Sequence, residues 1–280
     1  MARRLSAIAL TLLVSLLAAC AQPLAAGDNL AQRVAALLPT DALLLGEQHD
    51  NPDHQRVHHD VIHLLATRGQ LAAVVLEMAE QGASTAQLPA NSTEQAVQVA
   101  LRWDDKAWPW DRYAATVMRA VRSGVVVYGA NMPRRDMRNA MGNASLDQRL
   151  DAAAMVVQRD AIRDGHCNLL PESQIAPMTR IQIARDVAMA QTLAQAALSA
   201  PGKITVMLAG SAHVDKTLGI PRHLAAGLSS RSVLLFEQPQ GQAAAAGGST
   251  GPGTAFDSVW PTRTIEPKDY CAEFKASRGG

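Results

Sequence analysis

The chain has 280 residues and a formal net charge of +1; 48% of its residues are apolar and only 4% are aromatic. A charge this close to zero gives no electrostatic basis for binding nucleic acid or an acidic surface, so neither partner is predicted. The chain is long enough to bury one sizeable hydrophobic core.

The start of the chain has the pattern of an export leader. A charged beginning is followed by the apolar run Ile8–Leu17, which is too short to span a bilayer comfortably. Small residues then precede Cys20, as in lipoprotein signals. We therefore predict a signal peptide over residues 1–19, lipidation of Cys20 and a tether over residues 20–28, with an ordinary signal peptide as the alternative. Ala21 is not the aspartate associated with inner-membrane retention, so we expect an outer-membrane lipoprotein that faces the periplasm.

Five short apolar runs predict buried strands. They are continuous rather than alternating, which is typical of parallel strands covered on both faces. The runs are Ala42–Leu45, Ala72–Leu76, Gly124–Tyr128, Ile204–Leu208 and Ser232–Phe236. A further segment, Val259–Ile265, is a candidate edge strand.

Segments with helical periodicity or composition separate these runs. They are Asn29–Leu38, Asp53–Arg68, Ser92–Leu101, Asp111–Val121, Ser145–Asp164 and Thr179–Leu198. This alternation predicts an α/β fold with a mainly parallel central sheet flanked by helices, and a helical insertion between the third and fourth strands. We expect a single domain over residues 29–280, in which the low-complexity residues 240–254 form a flexible loop.

Polar side chains lie at the carboxyl ends of the predicted strands. Glu47 and His49 follow the first strand, Glu77 follows the second and His213 follows the fourth. Ligands of open α/β sheets bind at this edge, and a carboxylate against an apolar strand is costly unless it is paired, so we expect these side chains to converge. Carboxylates and imidazoles hold divalent metals and act as general acids and bases, so the four residues are candidate metal ligands and candidate catalytic residues. The alternative is that each one caps the helix after its strand.

The predicted helix after the first strand is rich in histidine. His54 lies in its first turn, beside the strand end, and is the predicted additional member of the site. His54 and His58 flank the apolar stripe of the helix, whereas His59 and His63, spaced i,i+4, are predicted to face solvent.

Three further residues are placed at the periphery of the site. His166 ends one helix, while Gln182 and Asp186 are spaced i,i+4, so that one amide and one carboxylate can point to the same cleft. A solvated helix face is the alternative for that pair. Asn131 and Glu237 follow the third and fifth strands, and we interpret both as helix caps.

Scarce aromatic residues cluster in one short segment, which contains Trp103, Trp108, Trp110 and Tyr113. The cluster offers a surface on which a flat apolar ligand can stack, or else it packs helices onto the sheet. Arg134, shortly after the third strand, can pair with a carboxylate of such a ligand.

Two cysteines remain besides the candidate lipidation site. They are Cys167 and Cys271. Because an exported protein meets an oxidising compartment, we favour a disulfide between them. A free thiol at Cys167, next to His166, is the alternative.

Seven motifs occur together in a consistent order. They are Gly46-Glu47-Gln48-His49, Glu77 after a strand, Trp108-x-Trp110-x-x-Tyr113, Asn131-x-Pro133-Arg134, His166-Cys167, Gln182-x-x-Arg185-Asp186-x-x-Met189-Ala190 and Gly210-Ser211-Ala212-His213-Val214. The ordered set resembles the ChaN-like family of iron-regulated, haem-binding lipoproteins over roughly residues 30–240. That family is grouped with Tiki-type and erythromycin-esterase-like proteins, some of which are metal-dependent proteases or hydrolases.

The resemblance implies haem binding at a dimer, with tyrosine ligation of the iron and support from histidine. Tyr113 is the predicted ligand among the three tyrosines, and His54 and Arg134 are further predicted haem contacts. Our leading hypothesis is a periplasm-facing lipoprotein that binds haem or iron for uptake. A metal-dependent hydrolase that uses the strand-end residues is the alternative. A third hypothesis is a chaperone without chemistry that hands its ligand to transporter components.

Overall fold

The computed structural model describes residues 26–238, 255–266 and 268–278. The predicted signal peptide, Cys20, most of the tether and the predicted loop over residues 240–254 lie outside these residues. Within them, no helix is both long enough and apolar enough to cross a membrane.

Six parallel strands form one sheet in the described part of the chain, in the order β3-β2-β4-β1-β5-β6. The strands are β1 Ala42–Glu47, β2 Leu71–Glu80, β3 Val126–Asn131, β4 Ile204–Gly210, β5 Ser230–Gln238 and β6 Ser258–Arg263. The predicted α/β fold is confirmed, and β6 takes the edge position expected for the last strand.

Helices cover both faces of this sheet. Among the described residues they are α1 Ala26–Ala35, α2 Pro52–Thr67, α3 Glu94–Ala100, α4 Trp110–Arg122, α5 Met137–Gly142, α6 Ala152–Gly165, α7 Glu172–Leu198 and α8 Tyr270–Arg278. The connection from β1 to α2 is short, because Asn51 caps the helix with its side chain and Pro52 occupies the first helical position.

The packing of β1 explains why the predicted strands are apolar along their whole length. Leu43 and Leu45 belong to the core on the side of α2 and α4, whereas Leu44 packs on the opposite side with Met189 and Leu193 of α7. All six residues of β1 are buried. A central parallel strand has no solvent-facing side, so both of its faces must be apolar.

The helical insertion between the third and fourth strands is confirmed as α5, α6 and α7, with two differences from the prediction. The helix predicted over Ser145–Asp164 is instead a 3-10 turn, Ala144–Gln148, followed by α6, which the Asp151 side chain caps. The next helix begins at Glu172, earlier than predicted. It continues through Pro177, where the missing N–H costs one helical hydrogen bond but does not end a long, well-packed helix.

Candidate functional site

The strand order places the carboxyl ends of β2, β4 and β1 side by side. Glu47 ends β1, Glu77 lies in β2 and His213 lies in the turn after β4. His49 Nδ1 lies 2.7 Å from Glu47 Oε1 and its Nε2 lies 3.8 Å from Glu77 Oε2. His213 Nε2 lies 3.3 Å from Glu77 Oε1. The four side chains therefore converge, while their roles stay predictions.

Two glycines leave room for this convergence. A Cβ on Gly210 would lie 2.9 Å from His49 Nε2. A Cβ on Gly46 would overlap the Val214 side chain and lie 3.0 Å from the Cα of Ser211. The absence of a side chain at both positions lets the turn after β4 approach the end of β1 closely.

Glu47 is buried at the centre of a hydrogen-bond network. Its Oε1 accepts from His49 Nδ1 and from the Tyr113 hydroxyl at 2.8 Å, and its Oε2 accepts from Gln55 Nε2 at 3.0 Å. Burial alone would raise the pKa of Glu47, but the hydrogen bond from His49 and the nearby His58 ring bring that pKa below its ordinary value. The carboxylate stays ionised and orients the His49 ring, whose Nε2 then faces the second carboxylate.

Glu77 is that second carboxylate, and cationic groups surround it. Its Oε1 accepts from Arg185 Nη2 at 2.6 Å and lies beside the His213 ring, while its Oε2 accepts from the backbone N–H of Gly210 at 2.7 Å. Burial alone would raise the pKa of Glu77, but His213, His49 and Arg185 hold it well below its ordinary value. The site therefore contains two ionised, buried carboxylates.

His213 lies between two carboxylates. Its Nδ1 is 2.5 Å from Asp186 Oδ1, and its Nε2 faces Glu77. Burial alone would lower the pKa of His213, but Glu77 and Asp186 raise it to about 9, so the ring is an imidazolium at neutral pH. Gln182 Nε2 lies 3.1 Å from the same Nδ1. Gln182 and Asp186, predicted at the periphery, thus contact a central member of the network.

His49 is the most exposed of the four convergent side chains. Its side chain is 35% exposed, whereas the Glu47 and Glu77 side chains are almost completely buried. Trp108 lies edge-on to the His49 ring, with the ring centroids 4.7 Å apart. Burial lowers the pKa of His49, but the hydrogen bond to Glu47 and the charge of Glu77 outweigh it and raise that pKa.

A cleft of about 380 Å³ opens beside the network. Its lining combines apolar and cationic side chains, which include Trp108, Met132, Met137, Arg102, Arg134 and Arg185. Acidic groups contribute as well. Arg134 Nη2 lies 3.0 Å from Asp104 Oδ2 at the rim, where the Arg134 side chain is 68% exposed. The volume is within the range of pockets that take small molecules.

His54 and Tyr113 are predicted to contact haem, but both side chains are buried and form hydrogen bonds within the protein. This corrects their predicted placement. His54 Nδ1 accepts from the backbone N–H of Gln48, and its Nε2 donates to Thr262 Oγ1 at 2.9 Å, so His54 joins the start of α2 to β6. Tyr113 is 2% exposed and donates its hydroxyl hydrogen to Glu47. Burial raises the pKa of Tyr113, which disfavours the tyrosinate that binds iron.

Arg185 and Asn131 are site residues that the sequence prediction did not include. Arg185 Nε donates to Asn131 Oδ1 at 2.9 Å, and Asn131 Nδ2 donates to the backbone carbonyl of Glu77 at 3.0 Å. Asn131 therefore braces the second carboxylate rather than capping a helix. The feature of the sequence that could have indicated Arg185 as a site residue is its position directly before Asp186 on the same helix.

His58 is the other unpredicted neighbour of the network. It is 1% exposed, and its Nδ1 lies 3.4 Å from Glu47 Oε2. Neither ring nitrogen has a hydrogen-bond partner among the described residues. Burial lowers the pKa of His58 to about 4, so the ring is neutral. Its spacing of three residues from Gln55 places both side chains on the inward face of α2.

Two further predicted residues, His166 and Glu237, contact residues at the ends of helices. His166 follows the last residue of α6, and its Nδ1 donates to the backbone carbonyl of Ile162 at 2.8 Å. Glu237 does not cap a helix itself. It accepts from Asn51 Nδ2 at 2.7 Å and so supports the residue that caps α2.

A disulfide joins Cys167 and Cys271, as the sequence analysis favours, and ties α8 to the connection between α6 and α7. The neighbouring Tyr270 hydroxyl accepts from Gln48 Nε2 at 2.8 Å and donates to Asp50 Oδ2 at 2.9 Å. Gln48 and Asp50 belong to the loop after β1 that carries the exposed imidazole. The C-terminal helix thus brings a tyrosine to this loop.

The predicted divalent-metal site is not supported. Among the described residues, no group of three or more His, Cys, Asp and Glu side chains is arranged to hold a metal ion. The donor chemistry agrees with this finding, because the Arg185 guanidinium is bonded to Glu77 and the His213 ring is protonated at neutral pH. Glu77 is therefore already paired with a cation, and His213 carries a positive charge of its own, so both are poor ligands for a metal ion.

A family described as haem-binding uptake, Tiki superfamily, ChaN matches residues 33–224 of this chain. The chain belongs to this family. The match to the ChaN family spans every strand-end residue from Glu47 to His213, and it confirms the resemblance that the ordered motifs indicate. No curated protein matches the chain.

Solved structures share the fold. ChaN of Campylobacter jejuni, described with cofacial haem binding, has a TM-score of 0.61 at 22% identity, over 82% of this chain and 90% of that chain. The type III effector HopBA1 has a TM-score of 0.50 at 13% identity, over 84% of this chain and 94% of that chain. At these identities the similarity shows the fold alone.

Proposed function

We propose that this ChaN-family protein binds haem as the cargo of an uptake system. The family assignment is the observation that carries the proposal. The chemistry of the cleft supports it, because Trp108, Met132 and Met137 offer an apolar wall for a porphyrin face. Arg102 and Arg134 line the same cleft and can pair with the two propionates.

The proposal includes a homodimer. The cleft of about 380 Å³ lies at the low end of the range for ligand pockets, and a porphyrin bound there would keep part of its surface exposed. A second copy of the chain, packed over that exposed surface, would remove it from water.

We propose Tyr270 as the iron ligand in place of Tyr113, as a separate part of the proposal, since Tyr270 contacts the loop after β1 and is not among the residues that line the cleft. Tyr270 is 46% exposed, whereas Tyr113 is 2% exposed, and the third tyrosine, Tyr128, lies half-buried within β3. Binding of a phenol to ferric iron requires loss of its proton. Partial burial and the hydrogen bond to Asp50 raise the pKa of Tyr270, so ligation requires the phenol to release its proton to solvent.

The location proposed for the protein is the periplasmic side of the outer membrane. The leader supports this proposal, with Cys20 as the residue that carries the lipid. The disulfide between Cys167 and Cys271 agrees with an oxidising compartment. From there the protein would deliver haem to transporter components.

Titration of the tag-free chain from Ala21 with hemin tests haem binding. We expect saturable binding at micromolar hemin and the visible spectrum of tyrosinate-ligated ferric haem. The spectrum should persist in Tyr113→Phe and be lost in Tyr270→Phe. Absence of saturable binding would overturn the proposal, whereas an unchanged spectrum in Tyr270→Phe would overturn the ligand assignment alone.

Arg134 and its neighbour Arg135 allow a controlled test of whether the cleft binds the propionates. Arg134 lines it, whereas Arg135 does not line it and its side chain is 70% exposed. Loss of one charge-assisted contact to a propionate should weaken hemin binding about tenfold in Arg134→Ala. Arg135→Ala should bind hemin as the wild type does. Equal effects of the two substitutions would place the propionates elsewhere.

A hydrolase is the second candidate, because the Glu47–His49 pair has the geometry of an oriented general base. Glu47 holds His49 Nδ1 at 2.7 Å, and the partly exposed ring has its other nitrogen available to take a proton from an attacking water. No metal takes part in this mechanism. A panel of nitrophenyl esters tests it: turnover in the wild type should fall about 100-fold or more in His49→Gln. Turnover equal in the two proteins would eliminate this candidate.

A further inference from the structure

We propose that His59 and His63 form a binding site for a divalent first-row transition metal on the solvent side of α2. The site is separate from the network around Glu47 and does not line the cleft. The proposal is also independent of haem binding. It rests on the geometry of the two rings, on the group that orients one of them, and on their exposure.

The two imidazoles lie side by side one helical turn apart. Residues spaced i,i+4 are separated by about 6 Å along an α-helix. The ring centroids of His59 and His63 are 6.2 Å apart, and their planes differ by 3°. The helix therefore holds two nitrogen donors next to each other.

A neighbouring carboxylate orients the first ring. His59 Nδ1 lies 3.0 Å from Asp60 Oδ1. Because an ionised carboxylate only accepts hydrogen bonds, Nδ1 is the donor and the lone pair of the neutral ring is on Nε2. Metal-binding histidines in proteins are commonly oriented in this way, with the second nitrogen donating to a carboxylate.

The second ring, that of His63, is accessible to solvent. His63 is exposed, and it makes no hydrogen bond or ion pair with any residue that the structure describes. Two nitrogens that bind one ion at about 2.0–2.1 Å each lie at most about 4 Å apart. Rotation of the exposed His63 side chain can bring its nitrogen within that distance of His59 Nε2.

A second histidine pair on α2 has the same spacing as His59 and His63 but differs in exposure. His54 and His58 are also four residues apart on α2, but each is 1% exposed. Both ring nitrogens of His54 are in hydrogen bonds. A hydrated metal ion can reach the solvent-side pair and not the buried pair.

The two imidazole nitrogens determine which metal ions the site prefers. Nitrogen ligands favour copper, nickel and zinc over magnesium and calcium, and Cu²⁺ binds most tightly among the divalent ions. With two protein ligands, water fills the remaining coordination positions. The site should therefore be an exchangeable one that takes Cu²⁺ in preference to Zn²⁺.

Titration of the tag-free chain with Cu²⁺, followed by calorimetry and by electron paramagnetic resonance, tests the proposal. We expect one equivalent to bind with a spectrum that shows two nitrogen ligands. His59→Gln/His63→Gln should abolish this event. Asp60→Asn, which leaves both ligands in place, should weaken it by about 10- to 100-fold. His223→Gln, which changes a histidine outside α2, should bind as the wild type does.

Two results would overturn the proposal. One is a wild-type spectrum without two nitrogen ligands, which needs no variant and so does not depend on the folding of one. The other is an unchanged affinity and stoichiometry in the double glutamine variant, since that would place the ion at other residues.

Discussion

Replacement of His213 should remove most of the pH dependence of stability at alkaline pH. In the folded protein Glu77 and Asp186 raise the pKa of His213 to about 9, against an ordinary value of 6.5. The folded state therefore binds this proton more tightly than the unfolded chain does. The resulting stabilisation is fully present below about pH 6.5 and is lost as the pH rises through about 9.

The size of the effect follows from these two values. A difference between pKa values of about 6.5 and about 9, at about 1.4 kcal/mol for each pH unit, corresponds to about 3 kcal/mol. Most of it is present near pH 7. The free energy of unfolding of the wild type should therefore fall by about 2–3 kcal/mol between about pH 7 and about pH 10 because of His213 alone.

Urea unfolding, followed by circular dichroism at several pH values in this range, measures the effect. His213→Gln should be less stable than the wild type near pH 7 and should lose much less stability as the pH rises. His223→Gln is the control, because burial and neighbouring arginines lower the pKa of His223 to about 4 and keep it neutral throughout. Its curve should run parallel to that of the wild type. A decline as steep in His213→Gln as in the wild type would refute the reasoning.

Two further substitutions test the packing around the first carboxylate. Tyr113→Phe removes the hydroxyl hydrogen bond to the buried Glu47 and should lower the free energy of unfolding by about 1–3 kcal/mol in urea denaturation; an unchanged value would contradict the network. Gly46→Ala adds a methyl group that overlaps the Val214 side chain, and should cost about 1–3 kcal/mol in the same measurement. Gly142→Ala, where no atom lies within 4 Å of the added Cβ, is the control and should not destabilise, so equal effects would refute the packing argument.

The strand-end residues were predictable for a general reason. Parallel strands run in one direction, so their carboxyl ends meet at one edge, and a polar residue that directly follows an apolar run must lie there. Glu47, His49, Glu77 and His213 satisfy this condition in the sequence. Their convergence required only that three strands be neighbours, which the order β2-β4-β1 provides.

Residues on helices were harder to place. Arg185 contacts a carboxylate more than one hundred positions away in the chain, and its place beside Asp186 in a sequence motif does not tell which carboxylate it meets. The same limit applies to Tyr113, whose burial the sequence does not show. An aromatic cluster predicts a flat surface, but whether that surface faces a ligand or the core depends on how α4 lies against the sheet.

The sequence by itself determined the α/β fold, the family and the strand-end acids and imidazoles, because hydrophobic periodicity and motif order are local properties of the chain. The tertiary structure alone decided which of three site histidines is partly exposed, which is protonated and which is neutral. His49, His213 and His58 have similar intrinsic chemistry, and their differences arise from burial and from the carboxylates that long-range packing brings to each ring. Desolvation and charge pairing are properties of the folded environment, so no spacing in the sequence contains them.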